Sequence, residues 1–267
     1  MPPFEPHEAP YSPVNALWLA EVSRLIYRRD VPGEAEKRDD VLARVGWRER
    51  RYIDHGCVQC ALLGPRDASA APCTVLVFRG TCGRAHWRAN LNTLLCDCSS
   101  GGRVHRGFAG ALDQAWPQIE AALNEGAGPL FYTGHSLGGA LAVLAAARKP
   151  PRAVYVFGCP RVGDAGFVKA MCNVPVYRIV NNRDLVAAVP PTLGPLAFRP
   201  HGELRRIQRD STVEVNPTGR QRGTQRHAGD TRARLDPPRC LADHAPINYV
   251  AHLQRAPTIL ASHRVFL

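Results

Sequence analysis

The segment Tyr132–Gly139, with the sequence YTGHSLGG, constrains this chain more than any other. Its serine, Ser136, has one glycine two residues before it and another two residues after it. This spacing is typical of a nucleophile elbow, a sharp strand-to-helix turn that holds a serine hydroxyl away from the chain. The apolar run 129–132 predicts a buried strand, and the alanine-rich run 140–147 predicts a helix. The sequence therefore predicts strand, elbow and helix in the order that the motif requires.

A serine hydroxyl needs a base, an orienting acid and an oxyanion site before it becomes an effective nucleophile. In α/β hydrolases the acid follows the serine along the chain, and the histidine follows the acid. Asp184 is the predicted acid because it lies in a polar turn directly after residues 174–180, which predict a buried strand. Asp164 also follows a predicted strand and is the alternative, although its position favours a helix cap.

Five histidines follow the predicted acid in the sequence. His244 is the predicted base because it lies late in the chain, where residues 246–250 predict the start of a helix. His252, on the same predicted helix, is the second choice. The remaining three are His201 before a predicted hairpin, His227 in an arginine-rich loop and His263 near the end of the sequence.

Two backbone amides are expected to form the oxyanion site, one after the nucleophile and one from a turn that follows an earlier strand. Leu137 supplies the first amide. Residues 73–78 are the most strand-like segment of the chain and lead into Arg79-Gly80-Thr81. Thr81 offers an amide and a hydroxyl, but the tripeptide alone would also suit an ordinary turn at the end of a strand.

Six sequence blocks occur together in order: residues 77–81, 104–108, 134–139, 157–164 and 178–184, and Asp243-His244 with Tyr249. Together they resemble the class 3, or fungal-type, lipases. The resemblance extends over about residues 11–250 and implies an α/β-hydrolase fold, in which a mostly parallel central sheet is flanked by helices. It also implies hydrolysis of carboxylic esters.

The same resemblance implies roles for particular residues, and these roles agree with the assignments above. Ser136, Asp184 and His244 would form the catalytic triad. Thr81 and Leu137 would form the oxyanion site.

A short helical lid at about residues 83–92 is a further implication of the resemblance. Trp87 and Leu91 are four residues apart and would share one helical face, which would cover the acyl site when the lid is closed. A short surface helix anchored by its tryptophan explains the same residues equally well. Because this segment is polar for a lid, we predict a preference for soluble or medium-chain esters and weak activation at interfaces.

The composition favours a single α/β-hydrolase domain over residues 1–267. With 45% hydrophobic residues, the chain has ample material for one core. Its longest apolar stretch, 140–147, is far shorter than the ~20 residues that span a bilayer. The amino terminus has no basic region followed by an apolar run, so the sequence predicts a cytoplasmic location, with signal-independent export as the alternative.

The nine cysteines predict free thiols, because the count is odd and no secretion signal is recognised. The pairs Cys57/Cys60 and Cys96/Cys98 invite a zinc interpretation, but neither is completed by a second pair at zinc-finger spacing. We therefore expect no metal and no cofactor.

The formal net charge of +11 comes almost entirely from arginine, which is dense in residues 216–239. This glycine- and arginine-rich composition predicts a flexible loop. The loop would suit peripheral contact with an anionic lipid surface or nonspecific nucleic-acid contact, but a solvated loop is the favoured interpretation. No aromatic residues separate the arginines, so a nucleic-acid partner is not expected.

The sequence thus predicts a serine carboxylic-ester hydrolase, a lipase or esterase that acts on acylglycerols or other acyl esters through an acyl-enzyme intermediate. One alternative is a phospholipase A1-type hydrolase, which the excess of arginine slightly favours. A noncatalytic lipid-binding module is a second alternative, because a fold alone does not guarantee activity.

Overall fold

The computed structural model describes residues 1–7, 11–29, 31–67, 72–80, 94–190, 192, 198–217 and 239–257. For residues 239–241 it describes the backbone only. Three predicted features lie wholly or largely outside these ranges: Thr81 of the oxyanion turn, the lid at 83–92 with Trp87 and Leu91, and most of the arginine-rich loop 216–239.

The described residues form an eight-stranded sheet and a separate two-stranded hairpin. The hairpin consists of the fourth and fifth strands along the chain. The strands are β1 (Trp47–His55), β2 (Val58–Pro65), β3 (Thr74–Phe78), β4 (Leu95–Asp97), β5 (Arg103–His105), β6 (Leu130–His135), β7 (Ala153–Phe157), β8 (Val176–Asn181), β9 (Glu203–Ile207) and β10 (Val213–Val215).

The order in the large sheet is β1-β2-β3-β6-β7-β8-β9-β10. Strands β3, β6, β7, β8 and β9 pair in parallel, whereas β1, β2 and β10 pair antiparallel at the two edges. The carboxyl ends of the parallel strands therefore meet at one edge, where α/β proteins place their functional groups. The predicted fold class, a mostly parallel sheet of the α/β-hydrolase type flanked by helices, is confirmed.

Helices cover both faces of the sheet. They are α1 (Pro13–Leu25), α2 (Ala35–Arg44), α3 (Arg106–Asn124), α4 (Leu137–Arg148), α5 (Ala165–Ala170), α6 (Arg239–His244) and α7 (Pro246–Arg255), with short 3-10 turns at Ile26–Arg28 and Val186–Ala188.

Side chains that alternate along the buried strands create two apolar clusters, one on each face. In β3, Leu76 and Phe78 join the cluster that includes α3 and α4, whereas Val75 and Val77 join the cluster that includes α1 and α7. Full burial on both faces explains why β3 is a continuous apolar run in the sequence. Among the described residues, no helix has the length and apolarity needed to cross a membrane.

Helix α3 runs without interruption through Pro117, although a proline inside a helix is expected to kink or restart it. Pro117 has no N–H to donate to the carbonyl of Asp113, four residues earlier. Both residues lie on the exposed face of the helix. Water can therefore satisfy this carbonyl. The buried residues Leu112, Ile119 and Leu123 hold the two halves of the helix on the same core.

Asp164 caps α5, as its position in the sequence predicts. Its Oδ1 accepts hydrogen bonds from the amide of Phe167 at 3.0 Å and from the amide of Arg103 at 3.0 Å. Its Oδ2 accepts from Nε of Arg103 at 3.2 Å. The carboxylate thus joins the start of α5 to β5, and none of these donors is a histidine.

Replacing this cap should weaken the fold. We expect Asp164→Ala to lower the free energy of unfolding by about 1–2 kcal/mol, because an N-cap acceptor is lost. Asp164→Asn is the matched control, since its amide oxygen can still accept from Phe167, and it should retain most of the stability. Urea denaturation of both variants is the measurement, and equal losses in the two would contradict the assignment of the cap.

Candidate active site

Ser136 lies between β6 and α4 in a strained backbone conformation, with φ 58° and ψ −128°. Such positive φ values are rare for residues other than glycine and persist only where the surrounding structure enforces them. The amide of Ser136 donates to the carbonyl of Phe157 at 2.9 Å, which fixes the turn to the end of β7. The predicted order of strand, sharp turn and helix is confirmed.

The glycines around Ser136 are required by close backbone contacts. A Cβ atom on Gly134 would lie 2.3 Å from the carbonyl carbon of Gly138, and a Cβ on Gly138 would lie 2.3 Å from the carbonyl oxygen of Phe78. Real Cβ atoms essentially never approach other atoms so closely. Strand β6, helix α4 and the end of β3 therefore touch through their backbones.

Asp184 follows β8, and its buried carboxylate is held by three donors. Its Oδ2 accepts from Nδ1 of His244 at 2.8 Å and from the hydroxyl of Tyr249 at 2.6 Å. Its Oδ1 accepts from the amide of Val186 at 2.9 Å. The predicted acid and the predicted base are thus in direct contact.

Burial alone would raise the pKa of Asp184, but the hydrogen bonds from His244, Tyr249 and Val186 outweigh it and hold the pKa below its ordinary value. The carboxylate is therefore ionised at neutral pH. It orients His244 with a proton on Nδ1, which leaves Nε2 free to accept a proton.

His244 is the last residue of α6, just before the bend into α7 at Pro246. The turn after β8 holds its neighbour Asp243, because Oδ2 of Asp243 accepts from Nδ2 of Asn182 at 3.0 Å and from the amide of Arg183 at 3.1 Å. The acid-bearing turn therefore also fixes the segment that carries the histidine.

The end of β7 lies against both the serine turn and the Asp–His pair. Gly158 has φ +56°, and a Cβ there would lie 2.5 Å from Oδ2 of Asp184 and 2.9 Å from Nδ1 of His244. The preceding residue, Phe157, accepts the hydrogen bond from Ser136. The serine turn and the Asp–His pair thus pack against one dipeptide.

The candidate oxyanion site is described in part. Leu137 is the first residue of α4, so its amide has no acceptor within the helix. Gly80 lies against the serine turn, since a Cβ on it would be 2.7 Å from the carbonyl oxygen of His135 and 3.4 Å from Cβ of Ser136. Thr81 follows Gly80 directly in the chain but lies outside the described residues.

The alternative histidines are placed elsewhere, where the structure describes them. The Nδ1 atom of His252 hydrogen-bonds with Oγ of Ser211 at 2.9 Å. His201 is buried beside Arg178 and Cys159. His227 and His263 lie outside the described residues.

Sequence reasoning missed His135, which precedes the serine and contacts the candidate base. Its Nε2 lies 2.6 Å from the carbonyl oxygen of His244, and its Nδ1 lies 3.1 Å from the hydroxyl of Tyr27. Burial, assisted by His244, lowers the pKa of His135 to about 3. The sequence shows that His135 precedes Ser136, but this position does not predict which distant residues its side chain contacts.

No group of three or more histidine, cysteine, aspartate or glutamate side chains that could hold a metal ion occurs in the part of the chain that the structure describes. The cysteines described there are free thiols, and these include both members of each pair considered above.

Comparison with known proteins shows what the sequence around this site is similar to. Residues 75–194, which include the serine turn and Asp184, match the family described as lipase (class 3). This match covers less than half of the chain, and over these residues the chain is similar to the class 3 lipases. It is 38% identical over 131 residues to the secreted mono- and diacylglycerol lipase 1 of Fusarium solani, covering 44% of this chain and 39% of that protein.

A plant phospholipase and a solved fungal lipase structure are also similar to this chain. The chain is 31% identical over 167 residues to phospholipase A1 EG1 of Oryza sativa, covering 48% of this chain and 37% of the relative. A Rhizomucor miehei lipase structure superposes with a TM-score of 0.62 at 24% identity, covering 78% of this chain and 71% of that one. The chain thus spans less than half the length of the two curated relatives, and the solved structure supports the fold.

The buried histidines should make stability depend on pH. The pKa of His135 falls to about 3 and that of His201 to about 4, both chiefly through burial, whereas an unfolded histidine titrates near 6.5. Between these values the unfolded chain binds more protons, so the free energy of unfolding falls as pH falls below about 6.5. One histidine contributes a slope of up to about 1.4 kcal/mol per pH unit.

Urea denaturation between pH 5 and 7 measures this slope. We expect His135→Gln to reduce the slope by the contribution of one histidine. His201→Gln, the comparison variant, should reduce it by the contribution of the other histidine. A slope in His135→Gln equal to that of the wild type would contradict the buried neutral state of His135.

Proposed function

We propose that this protein is a serine carboxylic-ester hydrolase that uses Ser136, Asp184 and His244 as its triad. The observation that carries the proposal is the 2.8 Å contact between Asp184 and His244 beside the strained turn of Ser136. A positive φ at a serine that is packed among glycines has a cost that folding alone does not require. A nucleophile that must project from the end of a sheet accounts for it.

In the proposed reaction, the hydroxyl oxygen of Ser136 attacks the ester carbonyl carbon while Nε2 of His244 takes the hydroxyl proton. Asp184 stabilises the imidazolium that forms. The amides of Leu137 and Thr81 stabilise the oxyanion. His244 then returns the proton to the departing alcohol, and water, activated by the same histidine, releases the acid from the acyl-enzyme.

Exposed apolar side chains next to the acid and the base favour an acyl substrate. Leu185, directly after Asp184, is 60% exposed, and Ile247, three residues after His244, is 52% exposed. Among the described residues most large apolar side chains are buried, so exposed ones near the triad point to contact with an apolar group. Acylglycerols are the substrate class that the name of the Fusarium relative favours.

A phospholipase A1 activity is the second candidate, because relatives with this name match the chain at similar identity. The same triad would serve either substrate, and the two differ only in the head group. The predicted preference for soluble or medium-chain esters depends on the lid at 83–92 and stays a prediction.

Labelling by a fluorophosphonate tests the proposed nucleophile. We expect the wild type to be labelled and to hydrolyse a soluble nitrophenyl ester, and Ser136→Ala to lose both activities by at least about 10³-fold, because the nucleophile is removed. Ser211→Ala is the control, since this buried serine contacts His252 instead of the triad. Labelling that persists in Ser136→Ala would sink the proposal.

A panel of substrates then separates the two candidates. The wild type is assayed on mono-, di- and triacylglycerols of increasing chain length and on a phosphatidylcholine. Release of fatty acid from acylglycerols at a higher kcat/KM supports the lipase, and the opposite order supports the phospholipase. An enzyme that is labelled but hydrolyses none of these lipids would be an esterase of soluble substrates.

We also propose that residues 1–267 form one domain. For the arginine-rich loop 216–239 we propose peripheral contact with anionic lipid as the alternative to a solvated loop. The first proposal is supported by the two apolar clusters, which share one sheet. The second is supported by the net charge of +11. The cytoplasmic location stays a prediction, and the Fusarium relative, which is named as secreted, argues for export instead.

Deleting residues 218–238 tests the lipid contact. We expect the deletion to reduce binding to vesicles that contain phosphatidylserine, with hydrolysis of a soluble ester unchanged, because only the charge attraction is lost. Vesicles of phosphatidylcholine alone are the control. Unchanged binding to both kinds of vesicle would show that the loop is only solvated.

A further inference from the structure

We propose that His135 is a positioning residue: its side chain ties the backbone of the candidate base, His244, to the residue next to the candidate nucleophile, Ser136. The inference rests on the proposed ester hydrolysis and adds a fourth side chain to the site. It is carried by the position of His135 between Tyr27 and the carbonyl of His244.

The side chain of His135 contacts the backbone where α6 ends and the chain bends into α7. Nε2 of His135 lies 2.6 Å from the carbonyl oxygen of His244, and the two imidazole rings are 4.5 Å apart between centroids. His135 is the last residue of β6 and is 3% exposed. Because the sheet fixes the backbone of His135, the hydrogen bond holds His244 at a defined position relative to the sheet.

The partners of His135 define its tautomer. A carbonyl oxygen only accepts, so Nε2 of His135 must carry the proton and donate to His244. In the neutral ring Nδ1 is then an acceptor, and the hydroxyl of Tyr27 donates to it. The titratable groups that face the ring are Tyr27, Tyr249, His244 and Asp184. Each ring nitrogen of His135 therefore has one specific partner.

His244 needs this tie because of its place in the chain. It ends α6, a helix of only six residues, and its carbonyl is among those that the helix leaves without a partner. Asp184 holds the ring of His244, and the turn after β8 holds Asp243. Neither contact links His244 to β6 or to the turn that carries Ser136. The bond from His135 supplies that link.

Tyr27 extends the same link to the candidate oxyanion turn. A Cβ on Gly80 would lie 2.2 Å from the hydroxyl oxygen of Tyr27, so this hydroxyl packs directly on the end of the β3 turn. Gly80, Tyr27, His135 and the carbonyl of His244 therefore form a continuous series of contacts. This series joins the end of β3, the end of β6 and the candidate base.

Two substitutions at residue 135 separate positioning from packing. Glutamine can donate from Nε2 to the carbonyl of His244 and accept from Tyr27 through Oε1, whereas leucine fills the space and does neither. On a soluble nitrophenyl ester we expect His135→Leu to lower kcat by roughly 100-fold with little change in KM, since a displacement of the base of about 1 Å costs this much. His135→Gln should recover most of the loss.

Tyr27→Phe provides a milder test that leaves residue 135 in place. We expect kcat to fall by roughly threefold to tenfold, because the donor that selects the tautomer is removed. The matched control is Tyr132→Phe, which removes a different tyrosine hydroxyl, one that donates to the backbone carbonyl of Lys149. This control should lose stability but keep the kcat of the wild type.

The wild type distinguishes failure of the function from failure of the inference. A wild type that is neither labelled by fluorophosphonate nor active on esters overturns the proposed function. An active wild type whose kcat is matched by His135→Leu, or variants in which leucine and glutamine are equally impaired, overturns the positioning role.

Nuclear magnetic resonance keeps the inference testable if the leucine variant does not fold. Long-range ¹H–¹⁵N spectra of the ¹⁵N-histidine-labelled wild type report the tautomer of His135 directly. We expect a neutral ring with the proton on Nε2 throughout pH 5–8. A proton on Nδ1, or titration of this ring within that range, would overturn the proposal.

Discussion

Backbone packs directly on backbone around Ser136, and the rest of the site takes its position from this contact. Gly134 meets Gly138 across the turn, and Gly138 meets the end of β3 at Phe78. No side chain separates these segments, so the turn has no room to relax. The strained φ of Ser136 is therefore enforced by its surroundings rather than by its own preference. A hydroxyl held in this way needs little rearrangement before it reacts.

A second set of contacts joins two segments that are 60 residues apart in the chain. Asp184 accepts from His244 and Tyr249, and the neighbouring turn holds Asp243. The acid and the base therefore move as one unit. Because parallel strands end at the same edge of the sheet, this unit and the serine turn meet beside Gly158. The chemistry thus depends on sheet topology as much as on the side chains themselves.

The main features of the fold and the site could be predicted because local patterns carry them. The glycine spacing around Ser136 predicts a sharp turn, and the polar turn after β8 limits the acid to few choices. The cap role of Asp164 also follows from its local position. In contrast, a proline commonly kinks or interrupts a helix, and the sequence alone does not show that one helix continues through Pro117.

The contacts that the sequence did not reveal are long-range and side chain to backbone. His135 contacts a carbonyl 109 residues away, and Tyr27 contacts a ring 108 residues away. Neither contact produces a periodic pattern, since each depends on how β3, β6 and α6 meet in space. The oxyanion turn at Thr81 remains a prediction for a different reason, because it lies outside the described residues.

Helix α1 packs against α7, the helix that directly follows His244, and both contribute to one apolar cluster. An early helix of the chain and the last described helix therefore bury apolar side chains against each other. During translation, the apolar face of α1 leaves the ribosome long before α7 exists to shield it. The Asp–His pair cannot form until the same late segment arrives, so completion of this core and assembly of the reactive groups coincide in time.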